Sequence, residues 1–250
     1  MTAALQTTGL HKRFGGLHAT RDVSLSVAAG ARHALIGPNG AGKTTLINLL
    51  TGVLRPDAGS IRLDGTDVTS LPTHARVRRG MARTFQVSQL FADFTPLQTV
   101  TLAIAERLGH GTQWWRTITD DRAIVDEATA LLDRFGLADE RERRVATLPY
   151  GRRRLLEIAT AIASAPRLLL LDEPAAGVPE DERRDILASL DALPAHVAVL
   201  LIEHDMDLVF SFARRISVLV DGALLVEGTP QDVARDSAVR RAYLGESSHV

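Results

Sequence analysis

The stretch Gly37-Pro38-Asn39-Gly40-Ala41-Gly42-Lys43-Thr44-Thr45 sets a lysine and two hydroxyls directly behind a glycine-rich loop. Lysine is otherwise almost absent from the chain, with Lys12 as the other one. Glycines let a backbone curl so that successive N–H groups point inward, a geometry suited to phosphate oxygens. A helix expected from Gly42 or Lys43 to about Leu50 would add the positive end of its dipole. Gly37-x-x-x-x-Gly42-Lys43-Thr44 is a full P-loop pattern, in which Lys43 reaches the β- and γ-phosphates and the Thr44 hydroxyl coordinates Mg²⁺. The competing reading is a glycine-rich turn with a surface lysine. All the fixed positions of the pattern are filled, between an expected strand and an expected helix, and this weighs against that reading.

Two further groups fit a phosphoryl reaction. Asp172 closes the apolar run "LLLLD", the place for a carboxylate that holds magnesium, and Glu173 follows at once. Glu173 is the candidate general base for an attacking water; its competing role is a helix-capping acid before Pro174. His204 ends "VLLIEH" and either contacts the γ-phosphate from the side or is a solvated strand-end histidine, and the residues alone leave this open.

These groups need elements to hold them. "VSLSV" (residues 23–27) alternates as a strand and "HALIG" (33–37) is a short apolar one; "SIRLDG" is another. "RLLLLDEP" and "VAVLLIEH" are continuously apolar, as strands buried on both faces of a parallel sheet are. "RISVLVDGALLVEG" predicts a hairpin turning at Asp221-Gly222. Between them, "DRAIVDEATALLDRFGL" places Ile124, Ala128, Leu131, Leu132 and Phe135 at helical spacing, with Asp120 or Asp121 as cap and Gly136 as stop. "RRRLLEIATAIASAP" carries Leu155, Ile158, Ala159 and Ile162 on one helical face. "DERRDILASLDAL", "DMDLVFSFA" and the tail "DVARDSAVRRAYLG" are also expected as helices. The expectation is an α/β fold with a mainly parallel sheet, its core at about 1–84 and 166–250 and a helical subdomain inserted at about 85–165.

The bulk composition limits the function. The chain has 250 residues, 45% of them hydrophobic, and a formal net charge of −1, so no basic field points to nucleic acid. It has no cysteine, which excludes disulfides and thiolate metal sites. The N-terminus lacks the apolar stretch of a secretory signal, and no apolar run approaches the ~20 residues of a spanning helix. A soluble chain is expected, with any membrane role exercised through a partner.

Taken together, "GPNGAGKTT", "LLLLDEP" and "LLIEH" resemble the nucleotide-binding subunit of an ATP-binding-cassette (ABC) transporter, over about residues 5–245. The resemblance implies a P-loop NTPase core with an N-terminal antiparallel β portion and an inserted helical subdomain, forming a single ABC ATPase domain over 1–250. It implies that Phe14 of "KRFGG" stacks on adenine. It also implies that Gln86 of "RTFQ" senses the γ-phosphate, helps hold Mg²⁺ and contacts a membrane subunit, and that His204 is the switch histidine. ATP and Mg²⁺ are the implied cofactors. The signature loop, which reaches ATP held by a second copy, falls on "LPYGRRRLLEIA", giving Tyr150, Gly151 and Arg152 as the residues acting in trans.

That loop departs from the usual Leu-Ser-Gly-Gly-Gln. Pro149 stands for the serine, Tyr150 for a glycine and Arg152 for the glutamine, and the helix is expected to begin near Arg152. After "DEP", Pro179 takes the place of a usual aspartate, leaving Glu180, Asp181 or backbone for communication across a dimer. "LDEPAAG", "LLIEHDMDLV", "VEGTP" and "AYLGE" resemble the branched-chain or hydrophobic amino-acid uptake family; urea or amide import and lipopolysaccharide export are the alternatives. The implied partners are a second ATPase subunit (identical or paralogous), transmembrane permease subunits and, indirectly, a solute-binding protein. The implied place is the cytoplasmic face of the membrane. Leu90, Phe91 and Phe94 either receive the permease or pack against the core. Trp114 and Trp115 either anchor at an interface or pack. A P-loop kinase using "RRGMAR" (78–83) as a lid is a further enzyme class; a soluble ABC-type ATPase acting on DNA or ribosomes is a third, disfavoured because its usual long coiled coil or second cassette is not found in this sequence.

Overall fold

The computed structural model describes residues 3–84, 90–110 and 121–244. The chain divides into two compact units, one formed by Met1–Met81 with Ala195–Val250 and the other by Ala82–Pro194. The second unit therefore reaches past the helical stretch expected to end near 165 and takes the "LLLLD" strand and the helix after it.

In chain order the first unit contains β1 (Ala3–Phe14), β2 (Leu17–Val23), β3 (Ser26–Ala28), β4 (Arg32–Ile36), α1 (Lys43–Thr51), β5 (Ala58–Leu63), β6 (Thr66–Asp67) and α2 (Thr73–Val77). It is completed by β9 (Ala198–Ile202), α7 (Met206–Phe212), β10 (Arg215–Val220), β11 (Ala223–Gly228), α8 (Pro230–Arg235) and α9 (Ser237–Leu244). One sheet is antiparallel, with β2, β3 and β5 all paired to the long β1. In the other, β10 and β9 flank β4 in parallel, and β11 folds back on β10. Ala34, Leu35 and Ile36 of β4, and Leu200 and Leu201 of β9, are fully buried, which explains why those strands read as unbroken apolar runs.

The alternating "VSLSV" is not one strand. β2 ends at Val23 and β3 begins at Ser26, because β1 hands its partner over there. The Thr7 hydroxyl accepts the Leu25 N–H (2.8 Å) and donates to the Val23 carbonyl (3.0 Å), so a side chain substitutes for a ladder bond at the break. The tail, expected as one helix, is two. α8 stops at Asp236, whose carboxylate then accepts the N–H groups of Ala238 and Val239 and caps α9.

The second unit holds β7 (Met81–Arg83) from Ala82 onward, α3 (Pro96–Arg107), α4 (Arg122–Arg134), α5 (Tyr150–Ala163), β8 (Leu168–Asp172) and α6 (Glu180–Asp191). α3, α4 and α5 pack on one another, burying Ile104, Ile124, Ala128, Leu132, Leu155, Ile158 and Ala159. Asp121 caps α4, accepting the Ile124 N–H, and Gly136 follows its end in the left-handed region as expected. Thr95 and Gln98 cap α3 reciprocally. α5 begins at Tyr150, two residues before the expected start, because the Pro149 carbonyl already accepts the Arg153 N–H (3.1 Å). Among the described residues no helix is long and apolar enough to cross a membrane.

Candidate functional site

The phosphate-type cradle belongs to the first unit. β4 delivers the chain to Gly37, and α1 starts six residues later at Lys43. Gly42 is the N-cap of α1 at φ 100°, and it offers no side-chain cap. Within α1 the first main-chain bond runs from the Leu46 N–H to the Gly42 carbonyl (2.9 Å), so the helix itself supplies no acceptor for the N–H groups of Lys43, Thr44 and Thr45. A Cβ on Gly42 would run into the Ala19 carbonyl, so both the dihedral and the space require glycine. The Lys43 ammonium donates to the Gly37 (2.5 Å) and Pro38 (3.0 Å) carbonyls and lies along the loop. Asn39, Gly40 and Thr44 face solvent around it.

The β10–β11 turn braces this loop. The Gly222 N–H donates to the Ala41 carbonyl (2.9 Å) and the Gly222 carbonyl accepts from Arg21 N–H (2.7 Å). Arg21 Nε also donates to the Asp221 carbonyl (2.8 Å). Asp221 and Gly222 both have positive φ, the turn expected from their types. Phe14, at the end of β1, keeps 47% of its surface exposed, and the Lys12 ammonium lies 5.8 Å from its ring centre. Lys12 is itself held by Asp57 at 2.7 Å. One apolar ring face is thereby steadied at the surface, as a stacking partner for a base requires.

His204 lies just past β9. β9 and β4 are parallel, with Ile202 opposite Leu35, so His204 and Gly37 leave the same C-terminal edge of the sheet. Its side chain is 65% exposed. The buried Glu203 carboxylate accepts the main-chain N–H groups of His204 (3.1 Å) and Asp205 (3.4 Å), and Asp205 caps α7. The turn that presents His204 is thus fixed from both sides.

The acidic pair belongs to the second unit. β8 is buried throughout, and Asp172 at its end is 6% exposed. Arg83 on β7 donates from Nη2 to Asp172 Oδ2 at 2.9 Å. Burial pushes the Asp172 carboxyl above its ordinary value; the Arg83 guanidinium pulls against that rise and the Glu173 charge adds to it. Glu173 has φ 48°, the left-handed region, so the alternation of the strand ends there. A non-glycine residue held in that region is uncommon and concentrates at working sites.

The signature stretch opens α5. Gly151 is buried beneath the Glu182 carboxylate. Tyr150 is 37% exposed, with the Arg153 and Arg154 guanidinium carbons 5.8 and 5.6 Å from its ring centre. Arg152 turns to its own unit: Nη1 donates to the Gly136 carbonyl (3.0 Å), Nε lies 3.5 Å from Glu140 and Nη2 3.9 Å from Asp185. Phe91 is exposed and stacks at 4.9 Å on the half-buried Phe94. Gln86, Trp114 and Trp115 lie outside the described residues. Sequence reasoning offered Arg83 only as part of the 78–83 lid and missed its pairing with Asp172, as it missed Arg76 and the brace at Arg21. Arg83 alone carried a signal, a charge directly after the apolar pair Met81-Ala82 in a short strand.

The donor set suits a nucleoside triphosphate. A helix start without a side-chain cap, a lysine and two hydroxyls match phosphate oxygens. Among the described residues no group of three or more His, Cys, Asp or Glu gathers to hold a metal by itself. A cation here would draw on phosphate and water oxygens, as Mg²⁺ does. The strand, curled loop and lysine-headed helix define a P-loop nucleotide-binding protein.

Residues 20–176 match the family model described as ABC transporter, and the chain belongs to that family of ATP-hydrolysing cassettes. Residues 223–249 match a second model, described as branched-chain amino acid ATP-binding cassette transporter. The chain is 41% identical to BraF of Pseudomonas aeruginosa, a high-affinity branched-chain amino acid transport ATP-binding protein, over 97% of this chain and 98% of that one. It is 39% identical to LivG of Escherichia coli, with the same coverage. Among solved structures it resembles the ADP conformation of MJ1267, an ATP-binding cassette of an ABC transporter, with TM-score 0.84, 30% identity and 98% and 100% of the two chains covered.

Proposed function

We propose that this chain is the ATP-hydrolysing subunit of a membrane importer for branched-chain amino acids. The observation that carries the reading is the near-complete, two-way overlap with BraF at 41% identity. The C-terminal match over residues 223–249 supports it and disfavours the urea and lipopolysaccharide alternatives. ATP bound here supplies a γ-phosphoryl group for transfer to water. The Gly37–Thr45 main chain and the Lys43 ammonium would bind the phosphates, and Phe14 would stack on the base. Thr44, Asp172 and Gln86 would hold Mg²⁺. Glu173 would take the proton of the attacking water, and His204 and Gln86 would read the terminal phosphate.

Tyr150, Gly151 and Arg152 would face ATP held by a second ATPase subunit. The pair would work at the cytoplasmic face of the membrane on permease subunits served by a solute-binding protein. Phe91 and Phe94 suit the permease contact. The test is Glu173→Gln, expected to bind ATP with wild-type affinity, to release phosphate at least about a hundredfold more slowly and to accumulate as an ATP-bound dimer. Hydrolysis near the wild-type rate would remove Glu173 as base. Phosphate released only in the presence of a small-molecule acceptor would favour the kinase. Loss of leucine uptake, with urea uptake intact, in cells lacking the chain would identify the solute class.

A further inference from the structure

A buried guanidinium grips the far end of the phosphate-binding helix. Arg76, on α2, is 1% exposed. Its Nη1 donates to the Leu49 (2.7 Å) and Leu50 (2.6 Å) carbonyls, both in the last turn of α1. Nε donates to the Leu71 carbonyl (3.0 Å) and Nη2 to the Thr69 carbonyl (3.0 Å). One planar fork thus ties the negative end of the α1 dipole to the 69–71 turn. Gly52, the C-cap of α1 at φ 78°, makes room for it, since a Cβ there would lie 2.8 Å from Arg76 Nε and 2.8 Å from the Leu71 carbonyl.

Burying an arginine is costly unless its donors are used, and an apolar residue could fill this space. What an apolar residue could not supply is a fixed angle between α1 and the turn. We infer that Arg76 is a positioning residue for phosphate binding, holding the axis of α1 so that the N–H groups at Lys43, Thr44 and Thr45 keep their aim. The inference rests on reading Gly37–Thr45 as the phosphate cradle. α1 has nine residues, hence a length of roughly 13 Å. A tilt of about 5° about its C-terminal end moves the N-terminal donors by about 1 Å, enough to stretch an ordinary N–H···O bond out of range. The Arg76 charge also attracts phosphate weakly from that distance, so its removal acts in the same direction.

The test uses the full chain and calorimetric binding of ATP, tripolyphosphate and adenosine to wild type, Arg76→Met, Arg76→Lys, Gly52→Ala and Lys43→Ala, below each melting temperature. Arg76→Met is expected to lose at least tenfold in affinity for ATP and tripolyphosphate, with adenosine binding unchanged. Arg76→Lys keeps the charge without the fork, and Gly52→Ala pushes the fork aside; both should show the same phosphate-selective loss. Wild-type affinities in the Arg76 variants, full rescue by lysine, or equal losses for adenosine would overturn the inference. Failure of the cradle reading looks different: wild type would not bind tripolyphosphate, or Lys43→Ala would bind it as tightly as wild type.

Discussion

His33 sits four residues ahead of the phosphate loop, and replacing it should flatten part of the protein's acid sensitivity. It is buried on β4, with Nε2 2.8 Å from the Ser217 hydroxyl on β10. That hydroxyl donates to Glu227 Oε2 at 2.7 Å, and Arg215 Nε donates to the other carboxylate oxygen at 2.7 Å. A serine has one proton and an ionised carboxylate only accepts, so Ser217 Oγ must accept from His33, which fixes the neutral Nε2–H tautomer. Burial, with the Arg215 charge adding to it and Glu227 opposing, lowers the His33 pKa from 6.5 to about 4. Between those values the unfolded chain binds the proton that the folded chain refuses, so stability is complete above the unfolded pKa and falls as pH drops toward 4. At about 1.4 kcal/mol per pH unit the loss across the window is on the order of 3 kcal/mol. Urea unfolding of wild type and His33→Gln from pH 7.5 to 4.5 isolates the His33–Glu227 cluster, because the acids outside it contribute equally to both. Wild type should lose more stability than the variant through this window, and the gap between the two curves should close by most of that amount. Parallel curves, or a His33 ring that titrates near 6.5 by NMR, would refute the tautomer and the burial reasoning together.

Two other perturbations follow from the site. Arg83→Met should destabilise by about 3–5 kcal/mol, because Asp172 is left as a buried charge without its guanidinium. The double variant Arg83→Met/Asp172→Asn should recover part of that in thermal melts, and strictly additive losses would show that the pair is uncoupled. Gly42→Ala drives a Cβ into the Ala19 carbonyl at φ 100°; it should cost about 1–3 kcal/mol of stability and abolish ATP binding by calorimetry, and retained affinity would mean the loop curls by another route.

The residues that shape the candidate phosphate loop were legible, because the loop's geometry is written in residue types. Glycine at 37 and 42, lysine at 43 and the apolar runs before Asp172 and His204 follow from local rules of curl and burial. So did the hairpin at Asp221-Gly222 and the cap at Asp121. What escaped is long-range. Arg83 meets a carboxylate 89 positions away, and Arg76 meets carbonyls 26 and 27 positions away. A sequence pattern marks an arginine as charged; only tertiary packing turns it into a fork for main-chain oxygens. The break inside "VSLSV" escaped for a related reason, since period-two burial persists through a change of pairing partner while the ladder does not.

The departure in the signature stretch has a local cause and a consequence. With proline in place of serine, the hydroxyl is lost and the N-cap is taken by a residue whose carbonyl starts the helix at once. Arg152 then occupies the third helical position, and its guanidinium is spread over the Gly136 carbonyl, Glu140 and Asp185. Two carboxylates beside one guanidinium leave it little net charge to offer an external anion. Any phosphate approaching α5 therefore meets chiefly the main-chain N–H groups of its first turn, with no side-chain cap competing for them, and the dipole behind them. Such donors do not depend on residue type, so recognition at this end can survive the loss of serine and glutamine as long as the helix start remains in place. Gly151, pressed under Glu182, belongs to what keeps it there.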